Sequence, residues 1–410
     1  MRRLHAGTAM RLRARTDRHG IVLTDAQGDL TAGDLADHVD LLSRRSRRGT
    51  DAPRLGDLPP DAPLRSVLAA ALSAGGSLDM LSSGTTGEPR LHRRGPLTPA
   101  QLRTLTSLAR RIGLRRGVKI ASAAPGVHGH GLLLALGALS IGAHLVDLTH
   151  LPSARRVELL HSTTPDLLSG VPVHLADLLQ ADVIVAGNRP LRISRVISGS
   201  DVLSDELRAD LTRRWSARVH DVYGTTETGS LTVDGRPLRG VRIRERGGEL
   251  WARTPFTRGR EILTDRGRID PRTGLVEVHG RADGLVSSGG MLHDPRAVAR
   301  LLVAQEGIDA VTLRTVPDER MGRRTVAEVT LAADARSGFT EDGLRALVRD
   351  QLGAASVPRE VVFGGQGSGP DSDPLSSPPR GPAPRSRPGR PWRSPCTGRS
   401  CPCRSGAWSR

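Results

Sequence analysis

Two stretches far apart in the chain combine glycine with hydroxyl side chains, a composition suited to phosphate. Residues 81–90 read LSSGTTGEPR. Gly84 and Gly87 let the backbone turn tightly, while Ser83, Thr85 and Thr86 bring hydroxyls that can donate to phosphate oxygens. No Walker-type lysine follows, and Gly/Ser/Thr clusters are also ordinary turns, so both readings stay open on these residues alone. The nearest cation is Arg90. The second stretch, DVYGTTETGS at 221–230, offers three different functions in one glycine-flanked loop. Tyr223 can stack on a base, Thr226 can donate to a phosphate and Glu227 can hold Mg²⁺. Downstream come Asp265 in LTDRGRID and Arg281 in HGRADGLVSSGG. An aspartate accepts from both hydroxyls of a ribose, and an arginine donates to the same sugar.

These residues need a scaffold that brings them together. IVLTDAQGDLTAGDLADHVDLLSRR, from residue 21, reads as strand, turn and amphipathic helix, with Thr31 as the helix cap. A polar, proline-rich linker follows near 47–64. From there to about residue 280, apolar runs (VKIASAA, AHLVDL, DVIVAG, RISRVISGS, RVHDVYG) alternate with helical stretches such as SDELRADLTRRW. That alternation predicts an α/β domain with substantial parallel sheet, whose ligands bind at loops after the strand ends. GELWAR, REILTD and LVEVHGRADGLV predict a β-rich passage closing the large domain at about 282. Residues 283–363 then read as a small α+β domain with two helices and three strands.

The character changes at Gly364. The remainder, 364–410, is dominated by Pro, Gly, Ser and Arg, with eight arginines against two aspartates. Such a segment buries too little apolar area to offset its ordering entropy, which predicts a disordered tail. A sharper reading is a change of reading frame near residue 364.

The net charge of +17 invites a nucleic-acid reading. Against it, Lys119 is the only lysine, the arginines are scattered among acids, and aromatics make up only 2% of residues, leaving little to stack on bases. No nucleic-acid partner is expected. Cys396, Cys401 and Cys403 all lie in the tail, which excludes a disulfide framework or cysteine zinc site elsewhere. The basic N-terminus has no apolar run behind it, and GLLLALGALSIGAHLVDL is broken by glycines, a serine and a histidine, so neither a secretory signal nor a membrane span is expected. The expected location is cytoplasmic.

In this order, SSGTTGEPR, VISGSDVLSDEL, VYGTTETG, TDRGRID and GRADGLVSSGG resemble the adenylate-forming superfamily of acyl-CoA synthetases, aryl-CoA ligases, luciferases and peptide-synthetase adenylation domains. The resemblance runs from about residue 20 to 363 and is densest from 80 to 295. It implies a large N-terminal α/β domain with a β-rich subdomain, followed by a small swivelling α+β domain. It also implies that Ser83, Gly84, Thr85, Thr86 and Gly87 form the phosphate loop, with Arg90 as its cation. Gly199 and Ser200 would lie against the adenine, and Tyr223 with Gly224 would flank the base. Thr226 would meet the α-phosphate, Glu227 the magnesium, and Asp265 and Arg281 the ribose. His128 in APGVHGHGL matches the histidine of the family's PLFHxHG pattern at the acyl pocket, although a structural histidine fits there equally well. Asp283 would be the hinge about which the small domain swings between half-reactions.

The implied chemistry is attack of a carboxylate on the α-phosphate of Mg·ATP, giving an acyl adenylate and pyrophosphate. The acyl group then passes to the thiol of coenzyme A or of a carrier-protein phosphopantetheine. The absence of an aspartate near APGVHGH, where peptide synthetases pair the substrate amine, favours a plain carboxylic acid. Three features depart from the family pattern. The phosphate loop ends in Pro89-Arg90-Leu91 rather than Pro-Lys-Gly, the region 47–79 is short, and no lysine follows REVVF, where the family carries its catalytic Gly-Lys. The last of these opens the alternative of a nucleotide-binding remnant without turnover.

Overall fold

The apolar runs at 118–124, 143–148, 192–200 and 218–224 form the middle of one large sheet. The computed structural model describes residues 6–48, 54–59, 61–73, 78–81, 91–127, 129–282, 284–289, 291–318, 321–332, 338–364 and 375–376. Among these, nine strands stand in the order Arg236–Pro237, Gly229–Val233, Arg218–Thr225, Arg195–Gly199, Leu167–Gly170, Lys119–Ser122, His144–Asp147, Ile21–Asp25 and Gly28–Thr31. The six from Arg218–Thr225 to Ile21–Asp25 are parallel, and antiparallel strands close each edge.

The runs are continuous because both faces of the sheet are covered. Successive strand residues enter different cores: Ile120, Leu145, Leu167 and Ile197 belong to one cluster, and Ala121, Val146, Leu168 and Val196 to the other. With a side-chain period of two, a strand buried on both faces has no polar positions to spare. Helices fill both layers, Ala32–Arg47, Leu64–Ser73 and Gly129–Ile141 against the first cluster, Ser153–Thr163, Pro172–Ala186 and Asp205–Trp215 against the second.

Thr31 caps Ala32–Arg47 as expected, in a reciprocal capping box with Asp34. The short region after the linker is held tightly. Seven residues of Leu64–Ser73 are buried, the Leu64 amide donates to Asp147 Oδ2 at 2.6 Å, and Arg65 forks onto Asp25. One expectation fails. DVIVAG does not enter the sheet; its first five residues, 182–186, complete the helix Pro172–Ala186. Pro172 starts that helix in its first turn, and Leu175, Leu178, Ala181 and Asp182 recur at helical spacing on its buried side, while Val183, Ile184 and Val185 are exposed. The helical face overrides the strand preference of the β-branched run. Asp182, wholly buried, accepts from the Leu191 amide, Arg214 Nε and Trp215 Nε1.

An antiparallel four-stranded sheet follows: Arg242–Arg246, Glu249–Arg253, Glu261–Ile269 and Val276–Arg281. After the hairpin Val286–Ser288 and Met291–His293, helix Pro295–Val303, strands Ile308–Asp318 and Gly322–Leu331, helix Glu341–Leu352 and strand Glu360–Phe363 assemble around their own core of Val298, Leu302, Leu313, Val329, Leu344 and Val348. Leu375–Ser376, within the stretch read as a tail, pairs with the outer strand at Thr312 and Leu313.

Candidate active site

The six parallel strands end together at Asp25, Asp147, Ser122, Gly170, Gly199 and Thr225. From Lys119–Ser122 the chain crosses to one side for His144–Asp147, then back to the other for Leu167–Gly170, so a topological switch point lies between Ser122 and Gly170. Ligand crevices in open α/β sheets lie outside such a point.

Gly199 ends its strand where no side chain fits. A Cβ there would stand 2.8 Å from His130 Cε1 and 3.1 Å from the Val222 carbonyl oxygen. Ser200 follows with φ +70°, a left-handed turn that carries the chain out over the strand end. His130 itself was missed in the sequence, although it is the second histidine of VHGH. It sits in the first turn of Gly129–Ile141, its Nε2 lies 2.9 Å from Ser169 Oγ, and burial pushes its pKa down to about 4, so the imidazole is neutral at physiological pH.

The next strand, Arg218–Thr225, delivers Tyr223. Its hydroxyl donates to Asp265 Oδ2 at 2.5 Å and approaches Thr264 Oγ1 at 3.0 Å. Burial, then the neighbouring Asp265, pushes the phenol pKa upward, so the hydroxyl keeps its proton. Gly224 allows a close backbone crossing, since a Cβ there would lie 2.5 Å from the Gly229 carbonyl oxygen. The turn beyond is locked by reciprocal bonds: the Thr225 amide donates to Thr228 Oγ1 and the Thr228 amide to Thr225 Oγ1. Thr254 Oγ1 donates to the Thr228 carbonyl, tying this turn to the second sheet. The lock holds half-buried Thr226 and exposed Glu227 at the tip.

In the second sheet, Asp265 and Arg281 stand opposite each other in the strand register, 3.6 Å apart between carboxylate oxygen and guanidinium nitrogen. Asp265 is buried and Arg281 half-buried. Tyr223, Asp265 and Arg281 therefore form one polar group, drawn from two sheets and joined by a hydrogen bond and an ion pair. Thr264, absent from the sequence expectations, completes it.

Ser83, Gly84, Thr85, Thr86, Gly87, Arg90, His128 and Asp283 lie outside the described residues. The strands flanking the first of these stretches pair antiparallel, with Leu81 opposite Leu91. Among the described residues no group of three or more His, Cys, Asp or Glu side chains could cage a metal. A single carboxylate such as Glu227 fits magnesium, which is commonly held by one or two carboxylates plus substrate phosphates.

The AMP-binding enzyme family model matches residues 78–254, the stretch that holds Gly199, Ser200, Tyr223, Thr226 and Glu227. That match covers less than half of the chain. Its relatives include an uncharacterized acyl-CoA ligase of Bacillus subtilis, 26% identical over 69% of this chain and 63% of the relative. A probable 2-succinylbenzoate-CoA ligase of Mycobacterium tuberculosis is 27% identical over 70% of this chain and 78% of the relative. The chain thus spans under two thirds of the length of the first of these relatives. Among solved structures, the amide bond synthetase McbA of Marinactinospora thermotolerans superposes with a TM-score of 0.70 at 18% identity, covering 91% of this chain and 98% of that one. A malonyl-CoA ligase superposes with a TM-score of 0.63 at 22% identity, covering 84% of this chain and 96% of that one. At such identity the likeness concerns the fold alone. No helix among the described residues is long and apolar enough to cross a membrane.

Proposed function

We propose that the chain activates a carboxylic acid with Mg·ATP to an acyl adenylate and transfers the acyl group to a thiol, of coenzyme A or of a carrier-protein phosphopantetheine. The observation that carries this reading is the Tyr223–Asp265–Arg281 group beside the Gly199–Ser200 strand end. There a ring suited to a base stands next to a carboxylate and guanidinium suited to a ribose, at the edge where parallel sheets commonly bind ligands. Thr226 and Glu227 stand on the same loop as Tyr223, one for the α-phosphate and one for magnesium. The Tyr223 hydroxyl and Arg281 hold the Asp265 carboxylate in place.

The phosphate loop 82–90 supplies hydroxyls and the Arg90 cation. Arginine offers a planar fork to phosphate in place of the family's lysine. The small part of the chain swings about Asp283 between the two half-reactions. Arylcarboxylates head the candidate substrates, since relatives bear the names 2-succinylbenzoate-CoA ligase, 4-chlorobenzoate-CoA ligase and phenylacetate-coenzyme A ligase. The sequence LSGVPVHLADLL, whose helix begins at Pro172, offers small and aliphatic side chains to the acid.

A second reading has its own observation. Lys119 is the only lysine, and it lies on the central strand with Nζ on the Thr163 carbonyl oxygen. Losing one preorganised charge at the reacting phosphate costs on the order of 10²–10³ in rate. Nucleotide binding with little turnover is therefore the alternative. Acid-dependent exchange of labelled pyrophosphate into ATP, across benzoate, phenylacetate, succinylbenzoate and fatty acids, separates the two. Exchange with any acid supports the ligase; ATP binding by calorimetry without exchange supports the remnant; absence of both overturns the nucleotide site.

A further inference from the structure

The hairpin between Ile308–Asp318 and Gly322–Leu331 reaches away from its own core to the ends of the parallel strands. Three close approaches define where it sits. A Cβ at Gly322 would lie 3.5 Å from Asp201 Oδ1, one residue beyond Ser200. A Cβ at Gly289 would lie 2.8 Å from Met321 Cε and 3.6 Å from Val173 Cγ1, at the start of helix Pro172–Ala186. A Cβ at Gly280 would lie 3.4 Å from Arg323 Nη1. The guanidinium of Arg323 thus rests over bare backbone immediately before Arg281, in space that any side chain at Gly280 would contest.

Arg323 is exposed, and among the described residues its guanidinium has no ion-pair or hydrogen-bond partner. Its backbone is fixed, paired across the hairpin with Pro317 and donating from its amide to the Met321 carbonyl. The neighbouring Arg281 is already turned to Asp265, so its charge is partly spent inside the protein. Among the described residues Arg323 is therefore an uncommitted cation beside this crevice. An arginine so placed matches the geometry of a phosphate, which takes two parallel N–H donors from one guanidinium.

Resting on the ligase reading above, we propose that Arg323 is a phosphate-binding residue delivered to the site by the C-terminal part of the chain. It supplies there a positive charge that the chain, lacking any lysine after Lys119, cannot supply in the usual form. The phosphate belongs either to ATP or to the nucleotide end of coenzyme A, both phosphoanhydrides, and the test has an arm for each.

The full chain is compared as wild type, Arg323→Ala and Arg323→Lys, with Arg272→Ala at a remote exposed turn as control and circular dichroism to verify folding. One arm reads acid-dependent pyrophosphate exchange against ATP concentration, and calorimetric ATP binding. The other reads thioester formation from preformed acyl adenylate against coenzyme A concentration, and calorimetric coenzyme A binding. Loss of a charge-assisted contact predicts a KM or Kd raised about tenfold to hundredfold in one arm for Arg323→Ala, with partial recovery in Arg323→Lys. The arm that responds identifies the phosphate. Unchanged constants in both arms overturn the role of Arg323; the ligase reading then stands if the wild-type chain exchanges pyrophosphate and gives way to the binding-only reading if it binds ATP without exchange. A wild-type chain that neither binds nor exchanges ATP overturns both.

Discussion

The Tyr223 hydroxyl donates to the Asp265 carboxylate across 2.5 Å, linking the last parallel strand to the antiparallel sheet that follows it. The ring proposed to stack on a base and the carboxylate proposed to hold a ribose are thereby one unit, so damage to either should be felt by both. Tyr223→Phe keeps the ring and removes the tether. The expected result is a several-fold weaker ATP interaction and a stability loss of about 1 kcal/mol, read by calorimetry and by chemical denaturation. Asp265→Asn should weaken ATP binding more, because it also removes the charge facing Arg281.

Gly199 tolerates no side chain. In Gly199→Ala the new methyl would press on the His130 ring and on the Val222 carbonyl. Overpacking of this kind costs about 1–3 kcal/mol. Pairing it with His130→Ala should recover part of that loss in a double-mutant cycle of melting temperatures, whereas strict additivity would contradict the contact.

Helix Leu64–Ser73 is fastened to the sheet by Arg65, whose fork engages an Asp25 side chain with no exposed surface. Arg65→Ala leaves that carboxylate buried and unpaired. A loss of about 3–5 kcal/mol is expected in urea denaturation at neutral pH, far more than for Arg155→Ala, which removes an exposed pair with Glu158.

Acid should weaken the fold through its buried histidines, against the opposing effect of Asp221, whose pKa burial raises to about 6. His293 is buried, neither ring nitrogen has a hydrogen-bond partner among the described residues, and burial lowers its pKa from 6.5 to about 4, with Asp294 opposing and Arg324 acting the same way as burial. Between those two values the unfolded chain holds a proton that the folded chain refuses, so stability falls as pH drops from 6.5 toward 4. His130 has the same depressed value and adds in the same direction. His293→Leu should flatten the dependence of melting temperature on pH across that window while changing little at pH 8.

Much of this architecture was legible because the signals are local. The parallel strands announce themselves as short runs buried on both faces, and Thr31 with Asp34 spells a capping box in four residues. The same locality misleads at 182–187, where Asp182 is a helix residue accepting bonds from Arg214 and Trp215, more than thirty positions away. No window of sequence displays such a contact. The site shows the same division. Tyr223, Asp265 and Arg281 stand in motifs, and the fold brings them together. Thr264 and His130 act through partners at distances of 41 and 39 residues, Tyr223 and Ser169, and only the folded chain shows them to be neighbours. The bond from Thr254 to the Thr228 carbonyl escapes the sequence for the same reason.

The buried cluster around Val298, Leu313 and Val348 shares no residue with the clusters on either face of the large sheet. Cooperativity in proteins follows shared burial, so the separate clusters predict two parts that open independently. In the absence of nucleotide, heating should give two calorimetric transitions, or one broadened beyond its van't Hoff width. A ligand that touches both Asp265 and Arg323 would bind only when both units are folded and would draw the transitions together. The sharpness of melting then becomes a reporter of whether a molecule spans the junction, independent of any turnover.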